Sequence, residues 1–170
     1  PLDVFCKCKL WYNNSVLRIK IEAYIIYSSY ELAYAAGTAD KRLFLNEISR
    51  YDLPITPKRT IRGSNRYDLG DVVLALAIGE LKSYGFAMAT AAELIKRIDL
   101  DIFRAVLDEF TVGAVDRLII CIPQASDLDE DFPTTLTSWQ DFVTFAEEEC
   151  NNSIPLDLTD IINAKIRVEF

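Results

Sequence analysis

Histidine is absent from the sequence. Without imidazole the chain lacks the side chain that most often acts as acid or base near neutral pH, and the commonest metal ligand. Cysteine is sparse: Cys6, Cys8, Cys121 and Cys150. Cys6 and Cys8 are spaced C-x-C, and no second pair completes a tetrahedral zinc site. No metal and no other cofactor is therefore expected, and the thiols read as reduced cysteines of a cytoplasmic protein. There is no G-x-S-x-G and no glycine-rich phosphate loop, so acyl and phosphoryl transfer lack their usual machinery. An enzyme is not expected and no catalytic residue is nominated. The acidic runs Asp127-Leu128-Asp129-Glu130-Asp131 and Glu147-Glu148-Glu149 lack the spaced ligands and glycine turn of a calcium loop and read as solvated faces. No apolar run approaches the roughly 20 residues of a membrane span, and residues 1–11 lack the basic-then-apolar pattern of an export signal.

With only six prolines and 51% hydrophobic residues in 170, the chain reads as globular, with room for one domain or two small ones. Its net charge of −8 is unevenly spread. Residues 41–66 carry seven basic side chains (Lys41, Arg42, Arg50, Lys58, Arg59, Arg62, Arg66) against Glu47 and Asp52. Residues 99–160 carry fifteen acidic side chains against Arg104 and Arg117. Such segregation suggests a basic binding face on an acidic body.

In chain order, Asn13-Asn14-Ser15 reads as a turn and the partial alternation over residues 16–23 as a strand. Residues 1–27 stand as an N-terminal strand or extension with no assigned role. Ser28-Ser29-Tyr30-Glu31 is a capping box opening a short helix over 29–36, which Gly37 ends. Thr38 is read as the cap of a second helix beginning Ala39-Asp40-Lys41-Arg42. Helix, glycine turn and helix make a helix-turn-helix, whose second helix enters the major groove. Pro54 and Pro57 stiffen an extended arm. Lys58 to Arg66 then read as a hairpin with a Gly63-Ser64-Asn65 tip and arginines on its rim. Asp68 caps the next helix, with Asp71 in its first turn. Residues 72–78 are apolar on every face, which fits either burial in one core or dimerisation. Gly85 ends that helix, and another runs over 88–98 with Ala91, Leu94, Ile95 and Ile98 inward.

Arg66-Tyr67-Asp68, Asp71-Val72, Glu80-Leu81-Lys82-Ser83-Tyr84-Gly85-Phe86 and Glu93-Leu94-Ile95, preceded by Tyr30-Glu31-Leu32-Ala33 and Ala36-Gly37, resemble the MerR-type winged helix-turn-helix domain. The resemblance covers residues 28–98. It implies a transcription regulator binding double-stranded DNA as a homodimer, with residues 39–49 as recognition helix and 58–66 as wing. Lys41, Arg66 and Tyr67 match residue types that the family uses at its DNA face. Two features depart from the pattern. Phe44-Leu45-Asn46 stand where the family commonly has an arginine and two aromatics, and no long coiled-coil helix follows.

Instead, residues 101–110 read as an amphipathic helix with Ile102, Phe103, Val106, Leu107 and Phe110 on one side. A strand over 115–122 stopped by Pro123, an acidic loop over 124–135, a helix capped by Ser138, a strand over 154–158 and a segment capped by Thr159-Asp160 follow; residues 163–170 read as helix or strand. The expected fold is mainly α with small β: a winged helix-turn-helix domain over 28–100 and an acidic α/β module over 101–170. The expected DNA contacts are Lys58, Arg59, Arg62, Arg66 and Arg42 on phosphates, Lys41 and Asn46 on bases, and Tyr67 by resemblance. The C-terminal module would serve dimerisation, a small effector or a protein partner. The alternative is a protein-interaction adaptor that keeps the fold without DNA binding and exposes Phe44 and Leu45.

Overall fold

The structure, a computed structural model, describes residues 5–11, 18–24, 27–60, 63–123, 134–136, 138, 141, 144, 153–160 and 162. It is mainly helical, with small antiparallel sheets. Strand β1 (Phe5–Trp11) pairs with β2 (Arg18–Tyr24), Phe5 opposite Tyr24 and Trp11 opposite Arg18. The expected strand over 16–23 is therefore half of a hairpin. Its turn, Asn13-Asn14-Ser15, lies outside the described residues.

Strand β3 (Tyr27–Ser28) leads into helix α1 (Ser29–Ala35). The capping box forms as the residues require: Ser28 Oγ accepts from the Glu31 amide, and Glu31 Oε2 accepts from the Ser28 amide at 2.7 Å. Gly37, at φ +71°, closes the other end, with its amide on the Tyr34 carbonyl and the Thr38 amide on that of Ala33. Seven residues are too few for a helix to hold itself in water. Burial of Leu32, Ala33 and Ala35 against α3 supplies the rest.

Helix α2 (Lys41–Arg50) starts two residues later than the sequence suggests. Asp40, not Thr38, is its cap: the carboxylate accepts from the Arg42 and Leu43 amides at 2.8 and 3.3 Å. Thr38 is instead taken up in closing α1. After α2, Leu53 and Ile55 are buried and anchor the proline-stiffened arm. Strands β4 (Lys58–Arg59) and β5 (Asn65–Tyr67) form the hairpin, and β3 pairs with the other side of β5, giving the order β3-β5-β4.

Helix α3 (Leu69–Ser83) is the centre of the molecule. Every residue from Gly70 to Ile78 is buried within this one chain, so its apolar perimeter requires no second copy. Its N-terminus is a second capping box, with Asp68 Oδ1 accepting from the Asp71 amide at 2.9 Å and Asp71 Oδ2 from the Asp68 amide at 3.2 Å. Gly85 (φ +91°) ends it, as expected, and α4 (Met88–Lys96) packs back on it. Ala91, Leu94, Ile95 and Ile98 all face inward.

Helix α5 (Leu100–Thr111) is capped by Asp99 and buries Phe103 and Leu107; Ile102, expected on the apolar side, is exposed. Strand β6 (Ile119–Pro123) is the middle of the last sheet, between β7 (Thr134–Leu136) and β8 (Ser153–Asp157). Pro123 thus ends the strand from inside it, opposite Ser153. Thr134 and Thr135 belong to β7 and not to a loop. The Ser138 hydroxyl accepts from the Asp141 amide at 3.1 Å, while the helix expected over 139–150 lies mostly outside the described residues. Thr159 turns inward and accepts from the Leu118 amide at 2.9 Å, while Asp157 takes the Thr159 amide. The two acidic runs and residues 163–170 lie outside the described residues. The buried cluster extends from Tyr27 to Ile162 and draws on both sides of residue 100. Among the described residues no helix is long and apolar enough to cross a membrane.

Candidate nucleic-acid interface

The exposed face of α2 follows from its period. Arg42, Asn46 and Arg50 stand at i, i+4 and i+8, one above another, all exposed. Opposite them Phe44 is fully buried, with Leu45 and Ile48 packed beside it. This corrects the adaptor expectation for Phe44: it is core, and the exposed apolar side chain on α2 is its neighbour Leu43, 52% accessible. Arg50 joins the stripe although it was not nominated; its spacing from Arg42 and Asn46 was the available signal. Its guanidinium also lies 5.3 Å from the Tyr51 ring centroid.

Lys41 is placed differently from Arg42. Its ammonium lies 4.0 Å from the centroid of the Tyr30 ring, a cation–π contact that holds it back toward α1. Reaching a base would require giving up that contact.

The hairpin divides its cations by strand alternation. Lys58 is opposite Arg66, and Ser28 is opposite Arg66 on the other side, so these three share one face. Arg59 is opposite Asn65 and shares a face with Tyr67. The two arginines expected on one rim therefore lie on opposite faces of the sheet. Two like charges directly opposite each other repel, and here the repulsion is offset because Lys58 Nζ reaches Asp68 Oδ2 at 2.9 Å. Arg59 and Arg42 are exposed and Arg66 half-buried, with no ion pair among the described residues. At the tip, Gly63 (φ +77°) donates to the Thr60 carbonyl and the Thr60 amide to the Ser64 carbonyl. Arg62 lies outside the described residues. Tyr67 is corrected outright: at 2% exposure its ring is core beneath β5, so it positions the hairpin and offers no surface to a ligand.

Asp68 and Asp71 tie this hairpin to α3. Asp71 Oδ1 also accepts from the Thr56 amide in the arm at 3.3 Å, so one buried carboxylate holds the helix start and the approach to the hairpin together. Burial, then the neighbouring Asp68 charge, push Asp71 up to about 6. Burial acts the same way on Asp68, but hydrogen bonds from Lys58 and the Asp71 amide and the charges of Lys58 and Arg104 outweigh it and hold it below the ordinary 3.8. The two groups act in different pH windows. The raised Asp71 contributes stability that is full below the ordinary 3.8 and is lost as pH rises through about 6. The depressed Asp68 contributes above the ordinary value and loses it only in stronger acid. Asp71→Asn is therefore expected to flatten the fall in stability between pH 4 and 7, checked by urea midpoints across that range. It is also expected to lower stability throughout, because an amide has one acceptor oxygen where the carboxylate serves two amides.

Among the described residues no three His, Cys, Asp or Glu side chains gather as a metal site. The arrangement can do one kind of chemistry well: present guanidinium groups from a helix face and a hairpin to a polyanion. No protein-family model matches this chain and no curated protein does, so the MerR resemblance stands on the motifs of residues 28–98 themselves.

Proposed function

We propose that the chain is a winged helix-turn-helix DNA-binding protein, with α2 as recognition helix and the β4–β5 hairpin as wing. The observation that carries this reading is the pairing of an Arg42–Asn46–Arg50 stripe on the helix after a tight turn with a hairpin edged by Arg59 and Arg66. The hairpin runs directly into α3, the most buried helix among the described residues, and α2 packs on α1, which packs on α3. In this reading Arg42, Arg50, Arg59 and Arg66 take phosphates. Asn46 reaches a base edge, where its amide can pair with adenine. Lys58 is a weaker contributor because Asp68 already holds it, and Lys41 acts only after leaving Tyr30. The homodimer and an effector or protein partner at the C-terminal part belong to the same proposal and rest on the resemblance alone.

Binding to mixed-sequence duplex DNA at several salt concentrations tests it. Affinity is expected to fall steeply with salt, and Arg59→Ala or Arg66→Ala to reduce the slope of log K against log salt by about 0.9 each. If only one of the two does so, the wing meets DNA with a single face of its sheet. A folded protein that binds no duplex at low salt would sink the DNA reading and favour the adaptor, with the exposed Leu43 on α2 as its contact in place of Phe44.

A further inference from the structure

Helix α1 carries a feature that DNA binding does not use. Tyr30 and Tyr34, at i and i+4, are 63% and 74% exposed, two large rings standing in water side by side. They wall a groove of about 480 Å³ between α1 and α3. Tyr27 enters it from β3, Glu31 lines it beside the two exposed tyrosines, and Val72 and Leu76 of α3 provide an apolar floor. Glu31 is fixed in place through Oε2, which accepts from the Ser28 amide and hydroxyl. Burial, and then the Glu31 charge, push the Tyr27 phenol up to about 12, so the negative field of this carboxylate reaches into the groove.

Three phenol rings and one carboxylate over an aliphatic floor select a ligand by its charge and hydration. Ring faces and Glu31 repel anions. A divalent metal would find one carboxylate, where it needs six or more oxygens. A free primary ammonium is strongly hydrated and gains less from ring faces, whereas a quaternary ammonium is weakly hydrated and packs its methyl groups on rings. The Tyr30 ring already accepts the Lys41 ammonium, so in this setting its face holds a cation. We propose that the groove binds a quaternary ammonium ligand, with the Tyr30, Tyr34 and Tyr27 rings around the methyl groups and Glu31 as counter-charge. This inference is independent of the DNA reading.

Choline and its neutral carbon isostere dimethylbutanol, titrated into the full chain and followed by calorimetry and by tyrosine ring proton shifts, separate charge from shape. Choline is expected to bind roughly 2- to 30-fold more tightly than the isostere. Tyr34→Leu keeps apolar bulk at an exposed position and should weaken choline several-fold while leaving the isostere unchanged. Glu31→Gln retains an acceptor for the Ser28 amide but no charge, and should act in the same direction. Lys41→Met removes the nearby positive charge and should strengthen choline binding, an effect that mere damage to the fold would not produce. Equal affinity for choline and the isostere overturns the proposal, as does absence of saturable choline binding. So does a choline affinity that neither Tyr34→Leu nor Glu31→Gln changes.

Discussion

Replacing Phe44 by alanine is expected to destabilise the protein by about 3–5 kcal/mol, the cost of truncating a fully buried aromatic ring and leaving a cavity. The effect should fall on α2 in particular, because Phe44 is its one fully buried residue; Leu45 and Ile48 only flank the core. Leu43→Ala, one position away but 52% exposed, should change stability by no more than about 0.5 kcal/mol. Urea unfolding of both variants, followed by circular dichroism, decides the matter. Near-equal stabilities would mean that α2 is docked some other way and that Phe44 is free for a partner. A folded Phe44→Ala protein should also bind duplex DNA more weakly if α2 is the recognition helix, since a loosened helix pays an ordering cost on binding.

Gly79→Ala is the second large effect, and its sign is the informative part. Within an exposed helix this change stabilises by about 1 kcal/mol. In α3 it should instead cost about 1–3 kcal/mol, the range for forcing an extra carbon into a filled core. A Cβ at Gly79 would lie 2.8 Å from the Ala35 carbonyl oxygen and 3.1 Å from the Ala36 carbonyl carbon. Both are backbone atoms, which cannot swing aside as a side-chain end can. The glycine therefore lets the C-terminal end of α1 close on α3, and through α1 it sets the helix pair that carries the tyrosine groove and precedes α2. A stabilised Gly79→Ala protein, measured by thermal and urea unfolding, would show that this close approach is wrong.

Both residues mark the limit of what could be read in advance. Capping boxes at Ser28 and Asp68, glycine stops at Gly37 and Gly85, the burial of residues 72–78, the inward stripe of α4 and the basic hairpin were all legible. Each depends on residues within a few positions of one another, where chain geometry alone brings donor to acceptor or places apolar side chains on one face. The glycine at 79 carries no such local sign. Its reason lies in α1, more than forty residues back along the chain.

For the candidate site the division is the same. The basic composition of residues 41–66 was plain, but which cations remain available was not. Lys58 is held by Asp68, ten positions away, Lys41 lies over Tyr30, and Tyr67 is turned into the core. Strand register, which needs both strands, put Arg59 and Arg66 on opposite faces. Phe44, which the adaptor reading exposed, is instead the inward side chain of α2, and that helix starts at Lys41 rather than Ala39 because Asp40 is its cap.

By itself the sequence determined the helices, their stops and the separation of charge, because those are settled by neighbours along the chain and by composition. Only the tertiary structure decided which charges are free, which apolar residues are core and where three tyrosines meet a glutamate. Those outcomes depend on atoms brought together from distant segments, and the free energy of such contacts exists only once the chain has folded.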